Sequence, residues 1–195
     1  MSILTSAATE EEKKPVTQLA EPTGTPAAKP TSYEEALSLF NEGDYANAAR
    51  KLNPDSALHP AAMEHSALLA RTYANLGELA KARAWTEQAL DTDKLNAGLH
   101  YLRATISQEQ DALDEAAASL RRALYLDPNF VLAHFALGNL ALRQQKLREA
   151  HKHFGNVLNL LAQYEANDVV PESGGLAAGR LRELIESTLS IESPA

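Results

Sequence analysis

From Thr31 onward, apolar residues recur at spacings of three and four, the period of a helix with one buried face. Ala and Leu supply most of these positions. Pro and Gly are sparse, and no segment alternates apolar and polar residues as a half-buried strand does. Turn signals break the pattern at Gly43-Asp44, Leu76-Gly77 and Asp127-Pro128-Asn129, with Asp93 at the place equivalent to Asp127. These features predict an all-α chain of short helices joined by tight turns.

The helical pattern repeats. Ala48, Ala82, Ala116 and Ala150 lie 34 residues apart, as do Ala36, Ala70, Ala104 and Gly138. Tyr45, Leu79, Leu113 and Leu147 form a third column. Leu52, Thr86, Leu120 and Phe154 form a fourth, with Thr86 as its one polar member. Small residues at fixed points allow two antiparallel helices to approach closely. One such pair cannot bury its apolar face alone, so the pairs must stack. The register gives four units, 31–62, 63–96, 97–130 and 131–166.

Both ends depart from the repeat. In the first unit Glu35 stands where Leu69 and Leu137 stand later, and Pro54 falls within the second helix. A helix-interior proline costs about 3 kcal/mol, so that helix should stop near Leu52. In the fourth unit the second helix should run from about Arg148 to Tyr164. A loop over 167–175 follows, with Pro171 and the turn-forming Gly174-Gly175. Leu176, Leu181, Leu184, Ile185 and Leu189 then predict a last helix over 176–190 that caps the exposed end of the stack.

These columns resemble the tetratricopeptide repeat (TPR), a helix–turn–helix solenoid that pairs small residues at this spacing and often ends a unit in Asp-Pro, as Asp127-Pro128 does. The resemblance implies a concave groove lined by the first helix of each unit. Its groove-facing positions here are Tyr33, Leu37, Leu68, Arg71, Asn75, Tyr101, Thr105, Gln108, Phe135, Asn139 and Arg143. Tyr101 and Phe135 are equivalent, and aromatics flanked by Arg and Asn suit a peptide or helix partner. The same two rings could instead only pack on the neighbouring unit.

Residues 1–30 read differently, as a disordered tail or linker, or a frayed terminus. They are rich in Ala, Thr, Pro and charged residues, with Pro15, Pro22, Pro26 and Pro30 spaced to prevent a helix. The net charge of -8 argues against nucleic acid as a partner, because phosphate binding needs a basic stripe. There is no cysteine, which excludes disulfides and thiolate sites. No run of about 18 apolar residues predicts membrane insertion. The start carries no secretory pattern, so cytoplasmic residence is expected.

The sequence predicts no cofactor, no metal and no catalytic group. There is no Gly-rich phosphate loop and no nucleophile elbow. His151 and His153 are two apart on a helix and face about 200° apart, so they cannot share one ion. His100 and His134 occupy equivalent places and could approach across the stack, but no carboxylate or cysteine completes a site. Glu78, Glu87, Glu115 and Glu149 read as a solvated face.

A narrower resemblance exists. The run from Leu120 to Leu142, the run from His100 to Gln110, and the ending Val169-Val170-Pro171-Glu172-Ser173 with Gly175-Leu176 and Gly179-Arg180-Leu181 resemble the repeats behind the catalytic part of CheR-type chemotaxis receptor methyltransferases. The ending is not a repeat feature and is the more specific clue. The resemblance covers about residues 60–190 and implies a module that recruits or regulates protein partners, such as a chemoreceptor, for receptor glutamate methylation. This chain has no methyl-donor part of its own and should not methylate. It is read either as a C-terminal region with residues 1–30 as linker or as a separate adaptor. A self-assembling structural repeat protein is the alternative outside chemotaxis, and the oligomeric state is not set by the sequence.

Overall fold

The computed structural model of the protein describes residues 32–52 and 62–191. Among these, nine helices follow in order: α1 (Ser32–Asn41), α2 (Tyr45–Leu52), α3 (Ala62–Asn75), α4 (Leu79–Thr92), α5 (Ala97–Glu109), α6 (Leu113–Leu126), α7 (Val131–Arg143), α8 (Leu147–Leu161) and α9 (Ala178–Ile191). Each odd helix through α7 packs on the next to form one unit, and α4 on α5 and α6 on α7 join consecutive units. The architecture is the expected all-α solenoid of helix pairs with a helix over its far end. None of the described helices is long and apolar enough to cross a membrane.

The columns of small residues are the crossings. Ala36, Ala48, Ala70, Ala82, Ala104, Ala116 and Ala150 are all fully buried. Thr86 keeps its place in an apolar column because its hydroxyl donates to the Ala82 carbonyl at 2.8 Å, leaving no buried polar atom unpaired. Tyr45 packs back on the first helix, edge-on to Phe40 at 5.3 Å between ring centres. Its counterpart Leu147 is 42% exposed, so the column weakens in the fourth unit.

The turn inside every unit follows one backbone path. Gly43, Gly77, Asp111 and Gln145, again 34 apart, have φ of +82°, +75°, +57° and +58°. Only the first two are the residue type that adopts this left-handed conformation without a Cβ penalty. The turns between units share another device. Asp93 accepts from the Leu95 N–H at 3.1 Å, and Asp127 from the Asn129 N–H at 2.9 Å.

Several boundaries differ from expectation. The helix expected over Arg148–Tyr164 ends at Leu161. There the chain tightens into short turns, Ala162 N–H to Asn159 and Tyr164 N–H to Leu161, and the Arg182 guanidinium takes the Leu161 carbonyl at 3.1 Å. The last helix starts at Ala178, not 176. Val169 and Ala177 pair in an isolated antiparallel bridge, and Val170 N–H bonds the Leu176 carbonyl, which draws Leu176 and Ala177 into the preceding segment. The loop expected over 167–175 is thus a closed clip, with Gly174 and Gly175 both at positive φ. The helix α3 begins at Ala62, one residue before the expected unit boundary. The expected tail over 1–30 and Pro54 lie outside the described residues.

The cap is apolar. Leu181 and Ile185 of α9 are fully buried with Val157, Leu161 and Val170, continuing the core of the last two units. This core is what carries the clip and fixes its place beside the first helices of the units.

Candidate functional site

Residues of α1, α3 and α5, of the turn into α7 and of the clip enclose the part of the first-helix side called the inner wall below. Two cavities adjoin there. The larger, of about 390 Å³, is lined by Asn96, Ala97, Gly98, Asp127, Asn129, Phe130, Val131, Tyr164, Pro171 and Glu172. The smaller, of about 200 Å³, is lined by Tyr33, Leu37, Met63, Glu64, Ala67, Leu68, Arg71, Asn96, Gly98, Leu99 and Glu172. Asn96, Gly98 and Glu172 belong to both and form the divide.

Asn96 is held as the cap of α5, its side-chain oxygen accepting from the Leu99 N–H at 3.1 Å. Gly98 follows in the first turn. A Cβ there would meet only side-chain atoms, those of Asn96 at 3.2 Å and of Glu172 at 3.8 Å, so its bareness is what keeps the divide open. Glu172 reaches in from the clip and pairs with Arg71 of α3 at 2.7 Å. Its charge also extends to Tyr101. Burial raises the Tyr101 phenol above its ordinary pKa, and the Glu172 carboxylate pushes the same way.

The expected groove residues divide between wall and packing. Tyr33, Leu37, Leu68 and Arg71 line the smaller cavity, although Leu68 is only 4% exposed and belongs to the core. Asn75 is exposed and donates to the Arg71 carbonyl at 2.9 Å. Tyr101 is half-buried against Phe130, 5.1 Å between ring centres, and Thr105 beside it donates to the Tyr101 carbonyl. Phe135 is half-buried against Phe154 at 6.1 Å. Gln108 and Asn139 are half-buried. Arg143 is exposed and pairs with Asp111 in the turn of the preceding unit at 3.2 Å. Asn75, Tyr101, Thr105, Gln108, Phe135, Asn139 and Arg143 line neither cavity. Asn96, Gly98, Asn129 and Glu172 were not among the expected positions. Glu172 sits in the non-repeat ending, the one signal that could have pointed to it.

The histidines act as fasteners. His100 Nε2 bonds the Lys94 carbonyl at 3.0 Å and His134 Nε2 the Pro128 carbonyl at 3.1 Å, the same bond six residues back in consecutive units. His134 Nδ1 meets His153 Nδ1 at 3.1 Å across α7 and α8. A carbonyl only accepts, so Nε2 of neutral His134 carries the proton. Its Nδ1 accepts, and His153 donates from Nδ1. Burial lowers the pKa of both rings, and the neighbouring His134 lowers that of His153 further. Among the described residues no three His, Cys, Asp or Glu gather as a metal site.

A tetratricopeptide repeat family profile matches residues 67–94 and 97–130, the second and third units. These two units are tetratricopeptide repeats. Solved structures agree with the fold. The structure described as "MamA 41-end from Desulfovibrio magneticus RS-1" is 22% identical with a TM-score of 0.63, covering 69% of this chain and 76% of that one. A crystal structure of MamA is 18% identical with a TM-score of 0.59, covering 80% of this chain and 95% of the other. A further MamA crystal structure is 19% identical with a TM-score of 0.61, covering 82% and 86%. At these identities the likeness is one of fold. No curated protein matches the chain.

Proposed function

We propose that the chain is a protein-binding scaffold that holds an extended segment of a partner along the two adjoining cavities beside α3 and α5. The observation that carries this reading is their common divide. It places a charged pair, a capping amide and a bare glycine backbone next to apolar walls, the mix of anchor and orienting group that peptide grooves use. The finer assignment, recruitment of a receptor or another chemosensory protein for a glutamate methyltransferase, is supported by the resemblance of Leu120–Leu142 and of the clip sequence Val169–Ser173 to such proteins.

Gly98→Phe tests the reading, because the added ring stands at the divide shared by both cavities, beside the side chains of Asn96 and Glu172. Chemoreceptor segments titrated by calorimetry should bind the wild type and lose at least about tenfold in the variant, about 1.4 kcal/mol, while the variant keeps the helical circular dichroism of the wild type. Equal affinity for both proteins removes the groove. Absence of binding by every chemosensory segment removes the chemosensory assignment.

A second reading is self-assembly. Leu95 and Tyr125 are 70% and 76% exposed near the turns between units, apolar surface that a second copy would cover. Light scattering that finds a concentration-independent monomer overturns it.

A further inference from the structure

Resting on the reading of the inner wall as a peptide site, we infer that the Pro171-Glu172 turn is a built-in occupant of that groove, and that the partner is an extended segment whose own single carboxylate replaces Glu172 on Arg71. The ion pair joins residues 101 apart in the chain, one on the clip beside the cap and one on α3, across Gly98 of α5. The fold does not depend on it. Crossings between helices are made by buried alanines and leucines, whereas the two charged side chains remain 43% and 44% exposed. Water and salt compete with such a pair, so another chain's carboxylate can take the place of this one.

The clip is built to hold the carboxylate there. Glu172 has φ of +62°, a conformation that a glutamate adopts only when its surroundings impose it. Val170 is anchored in the core at 1% exposure. Ser173 N–H bonds the Val170 carbonyl, and Leu176 N–H bonds the Ser173 hydroxyl at 2.9 Å. Neighbouring Gly174 and Gly175 would have taken the same left-handed backbone without strain, yet the position that faces Arg71 carries the carboxylate.

The surroundings limit the partner to one acidic residue. Among the described residues Arg71 is the one cation lining the two cavities, while Glu64 lines the smaller and Asp127 the larger. A second acidic side chain would meet one of them, so polyacidic segments are repelled. Asn96 and Asn129 supply amides for the backbone of an extended segment. The favoured sequence is therefore the clip's own kind, an apolar or proline residue followed by Glu.

The test uses the full chain and the capped peptide Val-Val-Pro-Glu-Ser-Gly, the sequence of residues 169–174. Amide shifts of Asn96 and Gly98 report binding to wild type, Glu172→Gln, and Glu172→Gln with Arg71→Ala. Gln keeps the shape of Glu172 and tolerates the backbone, as Gln145 at φ +58° shows. The peptide should bind Glu172→Gln at least roughly fivefold more tightly than wild type, the low end of ordinary coupling between sites. Arg71→Ala, or Glu→Gln in the peptide, should abolish the gain. Equal affinity of wild type and Glu172→Gln, or a gain that survives without Arg71, overturns the inference. Partner binding that Gly98→Phe abolishes but that shows no dependence on a carboxylate overturns the built-in occupant alone and leaves the groove standing.

Discussion

Gly138 and Phe154 share one crossing: a Cβ added to Gly138 would stand 2.6 Å from Cε1 of Phe154, whose side chain is fully buried. The same two repeat positions hold Ala36 with Leu52, Ala70 with Thr86 and Ala104 with Leu120. The fourth unit has the largest residue of its column opposite the smallest of the other. The glycine is therefore set by its neighbour and not by the turn chemistry that glycine often serves. Gly138→Ala should destabilise the protein by about 1–3 kcal/mol, the usual cost of overpacking, even though Ala favours a helix by about 1 kcal/mol. Adding Phe154→Leu should recover most of the loss by recreating the pairing of the third unit. Thermal melting of the two single variants and the double variant checks this, and additive losses would refute the pairing.

Gln145 bears a Cβ at a φ that its counterparts Gly43 and Gly77 adopt freely. Gln145→Gly should stabilise by about 1 kcal/mol, the left-handed penalty of one residue. That raises the melting temperature by about 2–4 °C in a chain of this size. Gly77→Ala should lose a similar amount, because nothing stands within 4 Å of the added Cβ and only the backbone is strained.

The His134–His153 contact makes stability depend on acid. Burial holds both folded pKa values below the ordinary histidine value, with Lys152 acting the same way on each, Arg121 also on His153, and Asp127 and Glu149 opposing. The unfolded chain therefore binds more protons below about pH 6.5, so unfolding free energy rises with pH in that window. The stability is present above about pH 6.5 and is lost as pH falls through the lowered folded values. One added proton can be absorbed by a change of tautomer in His153, but two put N–H groups head to head. Melting temperatures at pH 7.5 and 5.5 should drop on acidification. The drop should shrink in His134→Gln, and an unchanged drop would refute the assignment.

Ala116 lies fully buried at the crossing of the third unit. Ala116→Glu places a charge there at a cost of several kcal/mol, a large part of a typical total of about 5–15 kcal/mol. A melting temperature equal to wild type would refute the repeat register.

The register, the paired helices and the cap were legible in the chain because each is encoded over short distances and repeated. A small residue at a crossing acts on helices that are neighbours in sequence, and the 34-residue recurrence multiplies the signal. The turn column was half legible. Gly43 and Gly77 mark it, whereas Asp111 and Gln145 take the same backbone under pressure from the packed helices on either side. Tyr101 and Phe135 show the limit of carrying positions over one by one. Their rings contact Phe130 and Phe154, and pattern alone cannot divide an aromatic between groove and core.

By itself, the sequence determined the helical period, the unit length and the small-residue crossings, since these follow from local propensity and from packing between adjacent segments. Only the tertiary structure decided what meets across the solenoid. Arg71 and Glu172 are 101 residues apart, and no local preference brings them together. Their contact depends on the angle added at every unit and on where α9 holds the clip, quantities that accumulate along the stack and are written in no single repeat.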